Sequence, residues 1–108
     1  MSVTTLVFDA YGTLFDVTGA ARHVAAEFPA LAAVWPRLAD DWRRKQLEYT
    51  WQRTMTGQYA PFDQVTAESL DWALTTHGLT DPALPPRLLA LFDRLPPFPE
   101  ALETLTHL

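Results

Sequence analysis

The feature that most constrains this chain is one buried-type strand with no partner. Residues 4–9 read Thr-Thr-Leu-Val-Phe-Asp, a continuous β-branched and apolar run that ends in a carboxylate. Continuous apolar character predicts a strand covered on both faces, as in a parallel α/β sheet. No other segment of the sequence has this pattern. Because a parallel strand needs neighbours for its backbone hydrogen bonds, we expect the chain to be a truncated part of a larger fold.

The remainder of the sequence predicts helices. Apolar residues recur there at helical spacing, and proline and glycine separate the segments. Helices are predicted over about residues 16–28, 36–55, 66–78, 85–95 and 100–108. Asp16 or Thr18 is predicted to cap the first of them and Thr66 the third. The second is predicted to have Pro36 in its first turn and to end before Gly57.

Composition excludes several classes of function. Eight basic against thirteen acidic residues give a formal net charge of −5, so nucleic acid and anionic membrane surfaces are excluded as partners. The sequence has neither an apolar run of about 18 residues nor the basic start of a signal peptide, and we expect a cytoplasmic protein. The absence of cysteine excludes disulfides and thiolate sites. Lys45 is the single lysine.

Asp9 is the residue best placed for chemistry. It ends the predicted strand and is followed by Gly12 and Thr13, and ligands of open α/β sheets bind beyond such strand ends. A carboxylate there can act as a nucleophile, while glycine permits a tight turn and the threonine hydroxyl can fix one carboxylate oxygen. The alternative is that Asp9 only caps the following segment.

The first motif resembles that of the haloacid dehalogenase superfamily. Residues 8–16 read Phe-Asp-Ala-Tyr-Gly-Thr-Leu-Phe-Asp, and in that superfamily the leading aspartate is the nucleophile. Most of its phosphatases carry a second aspartate where this sequence has Tyr11. That aspartate is a general acid for an alkoxide leaving group, whereas a halide leaves without a proton. The variant is similar to the (S)-2-haloacid dehalogenase branch, also called L-2-haloacid dehalogenase or haloacid dehalogenase type II.

A second stretch resembles the cap helix and following loop of the same dehalogenases. It comprises residues 42–51, Trp-Arg-Arg-Lys-Gln-Leu-Glu-Tyr-Thr-Trp, and residues 57–62, Gly-Gln-Tyr-Ala-Pro-Phe. The resemblance implies that Arg43 binds the substrate and helps to hold the departing halide. The family commonly has glutamine where this sequence has Arg44.

The resemblance also implies that Leu47 and Phe62 line the substrate pocket. Independently, helical spacing places Arg43 and Leu47 on one stripe beside the packing seam. A guanidinium there can bind a small carboxylate or a halide. The alternative is an exposed, solvated face in which Arg43 and Arg44 form ordinary ion pairs with Asp40 or Glu48.

For the fold, the resemblance implies an α/β protein with a Rossmann-like parallel sheet. Residues 1–16 would be its first strand and nucleophile loop, residues 17–97 a helical cap domain, and residues 98–108 a truncated return to the core. The core lysine of the family is missing, because Lys45 belongs to the cap helix. We therefore expect residues 1–108 alone to be inactive.

For the reaction, the resemblance implies hydrolytic dehalogenation of a short (S)-2-haloalkanoate to an (R)-2-hydroxy acid and halide. Asp9 would attack C2 and form an ester, Thr13 would orient it, and Arg43 would stabilise the leaving anion. Tyr11 would form a wall of the pocket, and the backbone amides of Ala10 and Tyr11 would bind the substrate carboxylate. No metal and no cofactor are implied, and a homodimer through the cap helices is expected.

Two other functions remain open from the sequence. One is another hydrolase of the same superfamily, such as a phosphatase or a phosphonate-cleaving enzyme. The other is a non-catalytic helical fragment that serves as an interaction module. Substitution of Asp9 distinguishes the enzymes from the module, because only the enzymes require this carboxylate.

Overall fold

The computed structural model describes residues 2–108, without the side chain of Thr18, and this part of the chain is mainly helical. A 3₁₀ turn, Ala90–Asp93, follows the fifth helix. The α-helices are α1 (Val17–Glu27), α2 (Pro29–Ala32), α3 (Trp35–Thr56), α4 (Phe62–Thr76), α5 (Leu84–Leu89) and α6 (Ala101–His107). None of the helices in residues 2–108 is long and apolar enough to span a bilayer.

The ends of α1 and α3 confirm the signals read from the sequence. The Asp16 side chain accepts a hydrogen bond of 2.8 Å from the amide of Gly19 and so caps α1. The long helix α3 begins one residue before the proline predicted to start it. It ends at Gly57, whose φ of +69° is the left-handed conformation that glycine adopts without a Cβ clash.

Two local predictions are wrong. Thr66 does not cap α4, which begins at Phe62 after the extended Pro61. Instead Thr66 lies inside the helix and donates to the carbonyl of Phe62 at 2.7 Å, as threonine can do within a helix. The short helix α2 was not predicted; Pro29 stands in its first turn, where a missing amide proton costs little.

The core lies between α3, α4 and the helices on either side of them. α3 packs along α4, while α1 contacts α2, α3, α5 and the 3₁₀ turn. The buried apolar cluster consists of Ala21, Val24, Ala25, Leu31, Trp35, Leu38, Trp42, Leu70, Ala73, Leu74, Leu84 and Leu88. These positions repeat at helical spacing, which is why their burial could be read from the sequence.

The predicted strand is not formed. Residues 2–10 have no regular secondary structure, and the apolar side chains of Val3, Leu6, Val7 and Phe8 are exposed. The physical reason is that a strand is stabilised by backbone hydrogen bonds to a neighbouring strand. The described residues contain only isolated bridges, so the predicted parallel sheet has no counterpart here.

One of these bridges joins the two ends of the helical region, and we call it the joint. Phe15 and Pro97 face each other in antiparallel orientation. The amide of Asp16 donates to the carbonyl of Pro96 at 2.9 Å, and the amide of Phe98 donates to that of Leu14 at 2.9 Å. The chain therefore enters and leaves the region of α1–α5 at one place.

Candidate active site

Asp9 and Thr13 are brought together by a tight turn. The Thr13 hydroxyl donates a hydrogen bond of 2.9 Å to Oδ2 of Asp9, and both residues are exposed. The carbonyl of Ala10 accepts from three successive amides, those of residues 13–15. Gly12 stands inside this turn with a φ of +82°, a conformation that favours glycine. The contact predicted between the carboxylate and the hydroxyl is thus present.

Tyr11 projects from the same turn into a cluster of aromatic rings. Its ring stacks on that of Phe62, with centroids 5.2 Å apart and planes 2° from parallel. Phe92 packs edge-on against both of these rings and against Trp42. Such offset and edge-on pairs are favourable arrangements of aromatic quadrupoles. The cluster is an apolar wall on which Tyr11 and Phe62 meet.

Tyr11 and Arg43 line one cavity of about 150 Å³. Its walls are mostly apolar, with the guanidinium and a few polar groups among them. The lining residues are Tyr11, Gly12, Val17, Trp35, Ala39, Asp40, Trp42, Arg43, Gln46 and Phe92. Its charged lining residues are Arg43 and Asp40, and the guanidinium of Arg43 is the group there that can bind a small organic anion.

The guanidinium of Arg43 is not held by an acid in the described residues. Its Nη1 donates to Oε1 of Gln46 at 3.2 Å. The carboxylate of Glu48, which the alternative interpretation assigned to it, pairs with Lys45 at 2.7 Å. Neither Asp40 nor Glu48 forms an ion pair with Arg43 in residues 2–108, although Asp40 lines the same cavity and the neighbouring Arg44 pairs with Asp41 at 2.7 Å.

Not all the predicted residues share the cavity. Leu47 is half-buried on α3 and does not line it, and Phe62 lines a more open cavity together with Tyr11. The exposed carboxylate of Asp9 lies on the turn beside Tyr11 and Gly12, which do line it. In residues 2–108 no group of three or more acidic or histidine side chains is arranged to hold a metal ion.

Sequence reasoning missed Gln46 and Phe92 as site residues. Gln46 is 4% exposed, although glutamine is seldom buried. Its spacing of three residues after Arg43 and four after Trp42 is the signal that could have found it, because both neighbours lie on the same side of a helix. Phe92 stands at helical spacing from Leu88 and Leu95, a pattern that predicts a packed helix face and no role in a site.

The chain is similar in sequence to several (S)-2-haloacid dehalogenases. The chain is 45% identical over 108 residues to (S)-2-haloacid dehalogenase 4A of Burkholderia cepacia, which covers 99% of this chain and 46% of that protein. It is 39% identical over 107 residues to the (S)-2-haloacid dehalogenase of Xanthobacter autotrophicus, covering 98% of this chain and 41% of the relative. The chain is homologous to the (S)-2-haloacid dehalogenases. It spans less than half the length of these curated relatives. No protein-family model matches the chain.

Solved dehalogenase structures share the fold. An L-2-haloacid dehalogenase superposes with a TM-score of 0.85 at 34% identity, over 100% of this chain and 48% of the other. The Xanthobacter autotrophicus L-2-haloacid dehalogenase with chloropropionic acid covalently bound superposes with a TM-score of 0.73 at 39% identity, over 90% of this chain and 39% of the other. A dehalogenase with an intermediate complex superposes with a TM-score of 0.79 at 45% identity, over 89% of this chain and 42% of the other. The mainly helical structure of this chain therefore has the fold of the matching part of these dehalogenases.

Proposed function

We propose that this chain supplies the nucleophile and the anion-binding residues of an (S)-2-haloacid dehalogenase. The observation that carries the proposal is the position of Tyr11. This residue stands between the hydrogen-bonded pair Asp9–Thr13 and the cavity that Arg43 lines. Tyr11 and Arg43 line this space, and Asp9 lies two residues before Tyr11 on the same turn. The homologous dehalogenases support the assignment of the space to a small haloacid.

The first step forms an ester and releases halide. Because Oδ2 of Asp9 accepts a hydrogen bond from Thr13, the attacking atom would be the other carboxylate oxygen, Oδ1. It forms a bond to C2 of the 2-haloacid from the side opposite the halogen, and the carbon–halogen bonding pair leaves with the halide. The configuration at C2 is inverted. A halide needs no general acid, which explains why Tyr11 can replace an aspartate.

The second step restores the carboxylate. A water oxygen adds to the carbonyl carbon of the Asp9 ester, and the C2 oxygen leaves with a proton as the hydroxyl of an (R)-2-hydroxy acid. The second proton of the water goes to solvent, and Asp9 is regenerated. No metal or cofactor is required for this sequence of bonds.

Binding of the substrate would rest on the cap and the turn. Arg43 would hold the departing halide or the substrate carboxylate, as a permanently charged guanidinium with several donors. Backbone amides of Ala10 and Tyr11 would bind the carboxylate. Leu47 and Phe62 would complete the apolar wall, a role for which Phe62 is supported by its stacking on Tyr11.

The fold that we propose for the complete protein has a Rossmann-like sheet. Residues 1–16 would contribute its first strand and the nucleophile loop, residues 17–97 the cap, and residues 98–108 the return to the core. The joint supports these limits, because it brings residues 14–16 and 96–98 together. The homodimer and the cytoplasmic location stay predictions.

The test is halide release by the full-length gene product, with each enantiomer of 2-chloropropionate and with or without EDTA. We expect chloride from the (S) enantiomer only, in equal amount with EDTA present, and (R)-lactate as product. Asp9→Asn should abolish turnover, whereas Asp71→Asn, at an exposed position of α4, should not. Magnesium-dependent phosphate release from an aryl phosphate without chloride release would indicate the phosphatase instead. Full halide release by Asp9→Asn would exclude Asp9 as the nucleophile.

A further inference from the structure

A chain of hydrogen bonds runs through the buried interface of α3 and α4 and ends on Arg43. The amide of Gln46 donates from Nε2 to Oγ1 of Thr66 at 2.7 Å, and its Oε1 accepts from Arg43 at 3.2 Å. The Thr66 hydroxyl in turn donates to the carbonyl of Phe62 at 2.7 Å. Gln46 and Thr66 are 4% and 2% exposed. We call this chain the relay.

The relay has only one consistent direction. The hydroxyl of Thr66 has a single proton, which goes to the carbonyl of Phe62, so its oxygen can only accept from Gln46. The NH₂ group of Gln46 must therefore point toward Thr66, and its carbonyl oxygen toward Arg43. The opposite amide orientation would set two donors against each other at the guanidinium. Every buried polar group in the relay thus has a partner.

Both ends of the relay reach residues assigned to the substrate. One end is the guanidinium of Arg43, and the other is the backbone of Phe62, whose ring stacks on Tyr11. A further hydrogen bond holds Thr66 against α3, because Nε1 of Trp42 donates to the backbone carbonyl of Thr66 at 3.1 Å. The separation of α3 and α4 is fixed at the level of the relay.

We propose that Gln46 and Thr66 are positioning residues that hold the Arg43 guanidinium toward the bound anion. This rests on the proposed function of Arg43. An arginine side chain has several rotatable bonds, and a single neutral acceptor at Nη1 restricts them without neutralising the charge. The remaining guanidinium donors stay available for halide or carboxylate. An acidic residue in place of Gln46 would restrict the side chain equally well but would compete with the anion.

The test compares Thr66→Val with Thr66→Ser in the full-length gene product. Valine removes the acceptor for Gln46 with little change of shape, and serine retains it. We expect Thr66→Val to lower kcat/KM for (S)-2-chloropropionate about tenfold or more, because Arg43 is no longer fixed. Thr66→Ser should stay within about twofold of the parent protein. Gln46→Met, which removes both amide groups at similar length, should reproduce the loss and replaces Thr66→Val if the valine variant does not fold.

A second readout reports on Arg43 itself. The side-chain ¹⁵N–¹H signals of Arg43 should be resolved and slowly exchanging in the parent and in Thr66→Ser, and averaged in Thr66→Val and in Gln46→Met. Unchanged Arg43 signals together with unchanged kcat/KM in folded Thr66→Val and Gln46→Met would overturn the relay. If the parent protein releases no halide, the proposed function fails, and the Arg43 signals alone then decide whether the relay holds the guanidinium.

Discussion

Trp42 is the residue at which the apolar core and the polar site meet. Its ring belongs to the buried cluster and packs edge-on against Phe92, and its one polar atom donates to Thr66 across the helix interface. A buried indole N–H without an acceptor would cost free energy, so this bond both satisfies the tryptophan and sets the helix spacing. The residue next to it is Arg43, whose position therefore depends on how Trp42 packs.

Trp42→Phe is expected to lower the free energy of unfolding by about 1–2 kcal/mol, since it removes one buried hydrogen bond and part of the ring. The hydroxyl of Ser69 lies 3.0 Å from the carbonyl oxygen of Thr66 but 2.8 Å from that of Val65, so its single proton can replace the lost donor only by leaving Val65. Urea unfolding followed by circular dichroism measures the change. Trp51→Phe is the matched control, because Trp51 is 60% exposed, and it should change stability by less than about 0.5 kcal/mol. Equal effects of the two variants would contradict this account.

At the scale of elements, α3 and α4 are held together at two levels. Gln46 and Thr66 make the buried contact, and further along the helices Arg53 donates to both carboxylate oxygens of Glu68 at 2.8 and 2.9 Å. Gln64 adds a hydrogen bond to the same carboxylate at 3.0 Å. The hydrogen bond from Gln64, followed by the interactions with Arg53, lowers the pKa of Glu68 below its ordinary value of 4.5. The outer contact therefore depends on pH, whereas the buried one does not.

A pH series of Glu68→Gln tests the outer contact. Because the pKa of Glu68 is lower in the folded protein, its contribution to stability is fully present above about pH 5 and is lost as the pH falls through the folded pKa. We expect the difference in unfolding midpoint between parent and Glu68→Gln to shrink between about pH 6 and pH 3. Glu103→Gln, at a side chain that is 80% exposed, is the control and should show a smaller dependence. A constant difference for Glu68→Gln across this range would contradict the assignment.

The whole molecule is more extended than its length requires. Its radius of gyration is 16.1 Å, and its principal extents are 55, 37 and 20 Å, whereas a compact chain of this size has a radius of about 13 Å. An apolar segment with exposed side chains lies at each end of the described chain. The exposed apolar side chains on them are Val3, Leu6, Val7, Phe8, Leu102, Leu105 and Leu108. Surfaces of this kind are normally covered by further structure.

Deleting residues 2–7 from the 108-residue chain is expected to leave the thermal unfolding midpoint within about 2 °C, because the exposed segment adds little to the folded state. Circular dichroism at 222 nm measures it. Deleting residues 96–98, which form one side of the joint, is the contrasting change and should lower the midpoint by several degrees, about 4 °C or more. A large effect of the first deletion would mean that residues 2–7 pack on the helices.

Much of the helical region could be predicted from the sequence, because its signals are local. The cap at Asp16, the glycine after α3 and the apolar repeat each depend on residues within one or two turns. The start of α4 was misplaced, since Thr66 satisfies both the cap pattern and a packed helical position. The strand requires partners that residues 2–108 do not provide. Gln46 could not be assigned because its partners come from a second helix, whose register no local pattern specifies.

The joint has an architectural consequence. Because the strand-like segments around Phe15 and Pro97 lie side by side, the region between them could be excised and the gap closed with a turn of about two to five residues. The helices between residues 16 and 96 therefore form one insertion, and replacing them would keep Asp9 and its turn while removing Arg43.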